Sequence, residues 1–224
     1  VAARKISTSA IALTRDDVVS RGPIKQPLQG TTQVFIDLEG SSPALMDDGE
    51  ENGVTNYLIG NVIRQTGFQS RFVPFFANSP EKERANLVQF LEWALDLPDP
   101  IFYHWHSYEA THLRKMSERY GIDNDLANNV LNRLEDLEPL VVKAFAFPTH
   151  GEGLKPIARY LGFSWSQEDV DAVHSMALYN RYVSPRGGNP KDRESILKYN
   201  EDDCKATMYV FDWLIEQASA TAIA

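Results

Sequence analysis

Cysteine occurs once in the chain, at Cys204, so no internal disulfide can form. With no Cys-x-x-Cys pair and no Cys/His cluster, a structural zinc site is not expected either. No apolar run approaches the roughly 20 residues that span a bilayer. The N-terminus, Val1-Ala2-Ala3-Arg4-Lys5-Ile6-Ser7-Thr8, lacks the apolar stretch of a secretory signal. A cytoplasmic location without a membrane partner is the resulting expectation. Positive charge is also in deficit, since 22 Lys and Arg against 31 Asp and Glu leave a formal charge of −9. Nonspecific duplex binding relies on a basic surface, and this balance argues against it. Acidic groups gathered around divalent ions would reverse that field locally. His-Glu-x-x-His, Gly-x-Ser-x-Gly and Gly-x-x-x-x-Gly-Lys patterns are all missing, which removes the simplest zinc-protease, serine-hydrolase and phosphate-loop readings.

What is present is ordinary for a folded domain. The 224 residues are 43% hydrophobic and 24% charged, enough for one large core without covalent staples. The chain begins at Val1 rather than Met, so a processed or excised piece of something longer is expected. Residues 1–30 mix Ser, Thr, Arg and Asp without sustained periodicity and end in Pro- and Gly-bearing turns. They read as a linker or the edge of a preceding domain, with the main domain over 31–218 and a short tail over 219–224.

From Gln33 the pattern turns α/β. Residues 34–39 read as a buried strand that stops at Gly40-Ser41-Ser42-Pro43. Two further strands, 55–64 and 69–77, are expected to form a hairpin near Gly67. Ser79-Pro80 opens a helix to about Asp96, and a fourth strand covers 101–105. Helices are then expected over 109–120, 126–134, 154–162, 167–182 and from Pro190 to about Glu216, with Asn189 as its N-cap. Strands, a helix, a strand and then helices imply a mixed β-sheet flanked by α-helices.

Two carboxylates stand out on the first strand. Asp37 and Glu39 are two apart, so they leave the same face, opposite Val34, Ile36 and Leu38. Paired carboxylates within a sheet repel and resist desolvation unless a cation sits between them. A solvated acidic end on an edge strand is the alternative. On the last helix, at roughly 100° per residue, Ile196, Leu197, Cys204, Thr207, Met208, Val210, Phe211, Leu214 and Ile215 form an apolar arc. Asp203 falls inside that arc, while Asp202 falls outside it beside Lys198 and Lys205 and reads as surface. An Arg partner is the other account of a buried Asp203. Tyr199 lies one turn earlier on the same side, within reach of the same site. Glu109 is in the first turn of a helix, after Ser107, where the helix dipole favours acids in any case. Its place after the apolar strand makes it a candidate. His104 and His106 either line a cleft or are simply hydrogen-bonded.

These residues together resemble the motifs of DnaQ-like exonucleases. Phe35-Ile36-Asp37-Leu38-Glu39-Gly40 is similar to the first motif. His104-Trp105-His106-Ser107-Tyr108-Glu109 is similar to the second, with Glu where Asp is more usual and Trp105 where many members have Asn. Tyr199-Asn200-Glu201-Asp202-Asp203 resembles the third, the tyrosine-bearing DEDDy form. The set, with Gly153-Leu154-Lys155 and the Leu161-Gly162 that follows, resembles the YprB-like RNase H-like domain at the C-terminus of predicted RecB-family nucleases. That resemblance implies an RNase H-like fold over about 31–216 and a 3′–5′ exonuclease on single-stranded DNA or RNA. It implies Asp37, Glu39, Glu109 and Asp203 as ligands of two divalent cations, Mg²⁺ or Mn²⁺, roughly 4 Å apart. Tyr199 would orient the attacking water, and a fused or neighbouring nuclease or helicase domain would be the partner. His106, Tyr108, Arg186 and Lys191 are candidate substrate contacts, the last two in the basic loop 184–191, with Arg193 just beyond it as an alternative. Tyr103, Trp105 and Tyr108 are candidate stacking surfaces of which at least two are expected in the core. A non-catalytic module that binds nucleic acid or docks a nuclease, and a structure-specific endonuclease using the same metals, are the competing readings.

Overall fold

The computed structural model describes residues 2–41, 54–167, 170–185 and 188–223. The N-terminal segment is not irregular. It opens as helix α1 (Ala2–Arg15) and continues into a short strand, β1 (Val19–Ser20). Strand β2 (Thr32–Ser41) follows, then β3 (Thr55–Gln65), β4 (Arg71–Phe72) and β5 (Phe75–Phe76). After a 3-10 turn at Pro80–Lys82 come helix α2 (Glu83–Leu95), strand β6 (Pro100–His104) and helices α3 (Tyr108–Arg119) and α4 (Asn124–Leu131). Strand β7 (Leu134–Asp136), helix α5 (Glu138–Ala144) and strand β8 (Phe145–Ala146) lead to α6 (Leu154–Tyr160), α7 (Ala172–Tyr182) and α8 (Pro190–Ile223).

Among the described residues, six strands form the main sheet in the order β4-β3-β2-β6-β7, with β5 also on β3. β2 runs antiparallel to β3 and parallel to β6, and β6 runs parallel to β7. β2 is therefore central, which removes the reading of Asp37 and Glu39 as a solvated edge. The expected second strand of the hairpin is two short pieces, β4 and β5, both antiparallel to β3.

Each face of the sheet is covered by helices, and the alternation along β2 decides which residues go where. Val34, Ile36 and Leu38 meet Leu87, Phe90 and Leu91 of α2, Leu113 and Met116 of α3 and Val130 of α4. Phe35, on the opposite face, packs with Tyr103, with Ile157 of α6 and with Cys204, Val210 and Phe211 of α8. The Phe35 and Phe211 rings meet edge-on at 5.4 Å between centroids. A third cluster joins Tyr57 and Leu58 of β3 to Leu178 and Tyr179 of α7 and Ile196 of α8. α8 thus crosses the face from which Asp37 and Glu39 project.

Several expectations are corrected. The helix expected over 126–134 is α4, ending at Leu131, and Leu134 instead starts β7, whose pairing with β6 extends the sheet. α5 and β8 were not foreseen, and the helix expected from Gln167 begins at Ala172 with Asp171 as its cap. α8 runs past Glu216 to Ile223. Its Asn189 cap holds, since the Asn189 side chain accepts from the Lys191 N–H at 3.1 Å. The segment before β2 is tied down. β1 pairs with β8, and the Arg21 guanidinium donates to the Val142 carbonyl at 2.6 Å and to Glu152 at 2.8 Å. No helix among the described residues is long and apolar enough to cross a membrane.

Candidate metal centre

Asp37, Glu39 and Asp203 converge, each offering a carboxylate oxygen within 4.8 Å of the others. Strand alternation supplies the first two, and the crossing of α8 over β2 supplies the third. The cluster sits where the hydrophobic core on that face gives out. Burial, and then the neighbouring carboxylates, hold the Asp37 carboxyl well above the usual carboxylate range. For Glu39, burial and the charge of Asp203 raise the pKa to about 8. Asp203 is raised mainly by burial, against the pull of Lys155 and the Trp165 and Tyr199 hydrogen bonds. Three carboxyls that resist ionisation together describe a site short of positive charge.

Each is also aimed by neighbours. The Asn200 amide, fully buried, donates to Asp37 Oδ2 at 2.6 Å and to the Asp37 carbonyl at 3.2 Å. Asn200 fits only because Gly60 lies opposite Asp37 on β3. A Cβ at Gly60 would stand 1.5 Å from Asn200 Oδ1. Trp165 Nε1 donates to Asp203 Oδ1 at 2.6 Å. Tyr57 donates toward Glu39 Oε2 at a long 3.4 Å and shares a 2.8 Å hydrogen bond with Ser175. The Tyr57 ring is fixed by stacking on Tyr179, 4.0 Å away. No Arg pairs with Asp203 within salt-bridge distance among the described residues; the cation beside it is Lys155, at 3.9 Å from Oδ2.

Glu109 stands apart from the convergent three. It is buried in the first turn of α3, and its Oε2 has no hydrogen-bond partner among the described residues. His104 Nδ1 is 3.5 Å from that oxygen but 2.6 Å from the His106 carbonyl, so its hydrogen bond goes to the carbonyl. Burial raises the Glu109 pKa while the nearby His104 opposes the rise, and the Glu109 charge in turn acts on Asp37. The three clustered carboxylates form an all-oxygen donor set that fits hard divalent cations such as Mg²⁺ or Mn²⁺, and the buried Glu109 oxygen, without a hydrogen bond among the described residues, stands outside it.

Tyr199 is buried one turn before Asp203, and its hydroxyl accepts from Lys155 Nζ at 2.7 Å. Burial and then the charges of Asp203, Glu39 and Asp37 push its pKa far up, so it is a neutral phenol. Tyr108 is partly exposed, its ring stacked on His112 at 3.9 Å and its hydroxyl over Gly40, where a Cβ would lie 2.6 Å away. Of the three candidate stacking aromatics, Tyr103 is fully buried and donates to the Leu28 carbonyl, and Trp105 packs against the core. His104 is buried, whereas His106 is exposed at φ 71°. His106 and Ser107 line a cavity of about 660 Å³ with Arg21 and Asp136, and none of the carboxylates above takes part in it. Lys191 is exposed at the start of α8, about 12 Å along the axis from Tyr199. Arg193 places its guanidinium 5.1 Å over the Phe76 ring. Arg186 lies outside the described residues.

Sequence reasoning misassigned Asp202. It is buried and accepts from the Ser166 N–H at 2.8 Å and from the Ser166 hydroxyl, because the 163–167 loop folds over α8 where the wheel implied solvent. Lys155, Trp165, Asn200, Tyr57 and Ser175 were not singled out as site residues. Lys155 and Asn200 did stand inside the quoted motifs; the others carried no local signal.

An α/β sheet with this acidic cluster under its last helix has a family. A model of the RNase H superfamily matches residues 34–215, and the chain belongs to that superfamily. No curated protein sequence matches the chain. Among solved structures it is similar to Escherichia coli exonuclease I in complex with a dT13 oligonucleotide, at 12% identity and a TM-score of 0.43, over 86% of this chain and 42% of that one. The same enzyme with a 5cy-dA13 oligonucleotide matches at 15% identity and a TM-score of 0.39, over 70% and 41%. Apo exonuclease I matches at 15% identity and a TM-score of 0.40, over 84% and 45%. The chain thus spans less than half the length of the exonuclease I chains it matches.

Proposed function

We propose that the domain is a divalent-metal-dependent nuclease, and specifically a 3′–5′ exonuclease that hydrolyses single-stranded DNA or RNA from its end. The observation that carries this reading is the convergence of Asp37, Glu39 and Asp203 within 4.8 Å, in a setting where burial opposes their charge. With Glu109 they would hold two Mg²⁺ or Mn²⁺ ions. Bound there, such ions would supply the charge that activates water and offsets charge developing on the phosphoryl group. The chain's own residues do the rest. Asn200 and Trp165 fix two of the carboxylates. Tyr199, a neutral phenol whose oxygen accepts from Lys155 and whose proton is engaged by Asp203, would orient water or a phosphate oxygen without acting as the base. Tyr108, exposed and backed by His112, offers a stacking platform for a terminal base. His106 and Lys191 are further contacts on this reading. The DEDDy subtype, kinship with the C-terminal domain of RecB-family nucleases, a nuclease or helicase partner and a cytoplasmic setting belong to the same proposal.

The test is shortening of a 5′-labelled oligonucleotide with Mn²⁺, lost in Asp37→Asn and in Asp203→Asn. Wild-type protein that leaves every single-stranded and duplex substrate intact with Mn²⁺ present would sink it. A second reading, a module that binds nucleic acid without cutting it, draws on Lys155, whose ammonium already supplies the cluster with one cation. Absence of Mn²⁺ binding in calorimetry at millimolar metal would favour it.

A further inference from the structure

Lys155 is the second residue of α6, and its ammonium reaches the acidic cluster at Asp203 and Tyr199. Nζ donates to the Tyr199 hydroxyl at 2.7 Å, lies 4.4 Å from the Tyr199 ring centroid and stands 3.9 Å from Asp203 Oδ2. The Trp165 ring, whose N–H holds the other Asp203 oxygen, is 6.0 Å from the same nitrogen. The side chain is about one-third exposed, so the ammonium faces both the cluster and water. Its charge acts on Asp37, Glu39 and Asp203 together. A cation 3.9 Å from Asp203, whose charge also acts on Asp37 and Glu39, does in the metal-free protein part of what a divalent ion would do, and it repels such an ion.

We propose that Lys155 is a positioning residue that serves as the cluster's resident counter-cation, holding Asp203 and Tyr199 in register before metal arrives and weakening metal binding by competing for Asp203. This rests on the metal-site reading above and adds to it a cause for the affinity of the site. An ammonium that is merely packed on Tyr199 and Trp165 would leave metal affinity unchanged when neutralised, and the two accounts therefore lead to different outcomes.

The experiment is Mn²⁺ titration by calorimetry, paired with thermal unfolding with and without Mn²⁺, on the full chain as wild type, Lys155→Met, Lys155→Gln and Lys155→Arg. Gln keeps a donor for Tyr199, which guards against a Met variant that does not fold. In the metal-free state both neutral variants should melt below wild type. Both should bind Mn²⁺ about tenfold or more tightly, with a larger rise in melting temperature on adding metal. Arg should stay close to wild type throughout. Binding by the neutral variants when wild type binds too weakly to measure would support the proposal. Binding by wild type with no tightening in either neutral variant would overturn it while leaving the metal site standing. No binding by any of the four would overturn both.

Discussion

The two faces of β2 begin alike and finish differently. Val34, Ile36 and Leu38 bury themselves against α2, α3 and α4, and that face stays apolar to its end. The other face starts in the same way, with Phe35 against Tyr103 and Phe211, but its next two positions are Asp37 and Glu39 beneath Asp203. Both faces are covered by helices. The first gains stability from every residue it buries, and the second buries carboxylates at a cost that grows with each added charge. Where a chain could have continued a core and instead gathers like charges, selection for something other than stability is the physical reading.

The sharpest break in that comparison comes from neutralising the acidic face. Asp37→Asn or Asp203→Asn should reduce Mn²⁺-dependent hydrolysis to background in a labelled-oligonucleotide assay. The same change should raise the melting temperature of the metal-free protein, because it removes one of several mutually repelling charges. A variant that loses both activity and stability would mean the carboxylates are structural after all.

The apolar face should answer in the opposite way. Ile36→Ala deletes a fully buried side chain and should lower stability by about 2–5 kcal/mol in denaturant unfolding. Mn²⁺ affinity measured well below the unfolding midpoint should be unchanged. A matching loss of affinity would show that the two faces are not separable.

Acidity separates the faces without mutation. The pKa of Glu39 is raised to about 8 in the folded chain, above an ordinary value near 4.5. The folded state thus holds the Glu39 proton more tightly than the unfolded state does. The stabilisation is full below the ordinary value and is lost as pH climbs through about 8. Asp37 and Asp203, also raised, act with the same sign. Thermal melts with a chelator should therefore fall between about pH 5 and 8, and Mn²⁺ should flatten that slope. A metal-free melting temperature that rises across this range would contradict the assigned burial of the cluster.

Much of this contrast was legible in the sequence, for a physical reason. Alternation along β2 is a local property, and so is the angular place of Asp203 and Tyr199 on α8, so both could be read from spacing alone. β7 is too short at Leu134–Asp136 to show a period, and only its pairing with β6 makes it a strand. α1 gave little signal because its mixture of Ser, Thr and Arg reads as a linker. The partners that aim the carboxylates come from far away in sequence. Trp165 meets Asp203 across 38 positions and Asn200 meets Asp37 across 163. A helical wheel gives a direction, and it cannot say which loop will come to lie there.

The support beneath the acidic face can be tested through a glycine. Gly60→Ala would put a methyl 1.5 Å from Asn200 Oδ1, so Asn200 must leave Asp37. Loss of a group that orients a ligand typically weakens metal binding about 10–100-fold. Asn200→Ala should match it, and the double variant should add little to either. If Gly60→Ala binds Mn²⁺ as wild type does, Asn200 fills space beside Asp37 without aiming it.

The smallest effect is expected one residue from the largest. Asp202 and Asp203 are adjacent, both buried, and both held by the same loop, Asp203 through Trp165 and Asp202 through Ser166. Only Asp203 faces the cluster. Asp202→Asn keeps an acceptor for the Ser166 N–H and loses only the charge, so it should cost roughly 1 kcal/mol of stability. Its effect on Mn²⁺ affinity should fall below the roughly tenfold expected of a group that touches a ligand directly. Calorimetry and unfolding on Asp202→Asn and Asp203→Asn side by side would measure how sharply one helical step divides a hydrogen-bond anchor from a metal ligand. Equal losses of Mn²⁺ binding in the two would mean that the loop, rather than the carboxylate of Asp203, is what the metal depends on.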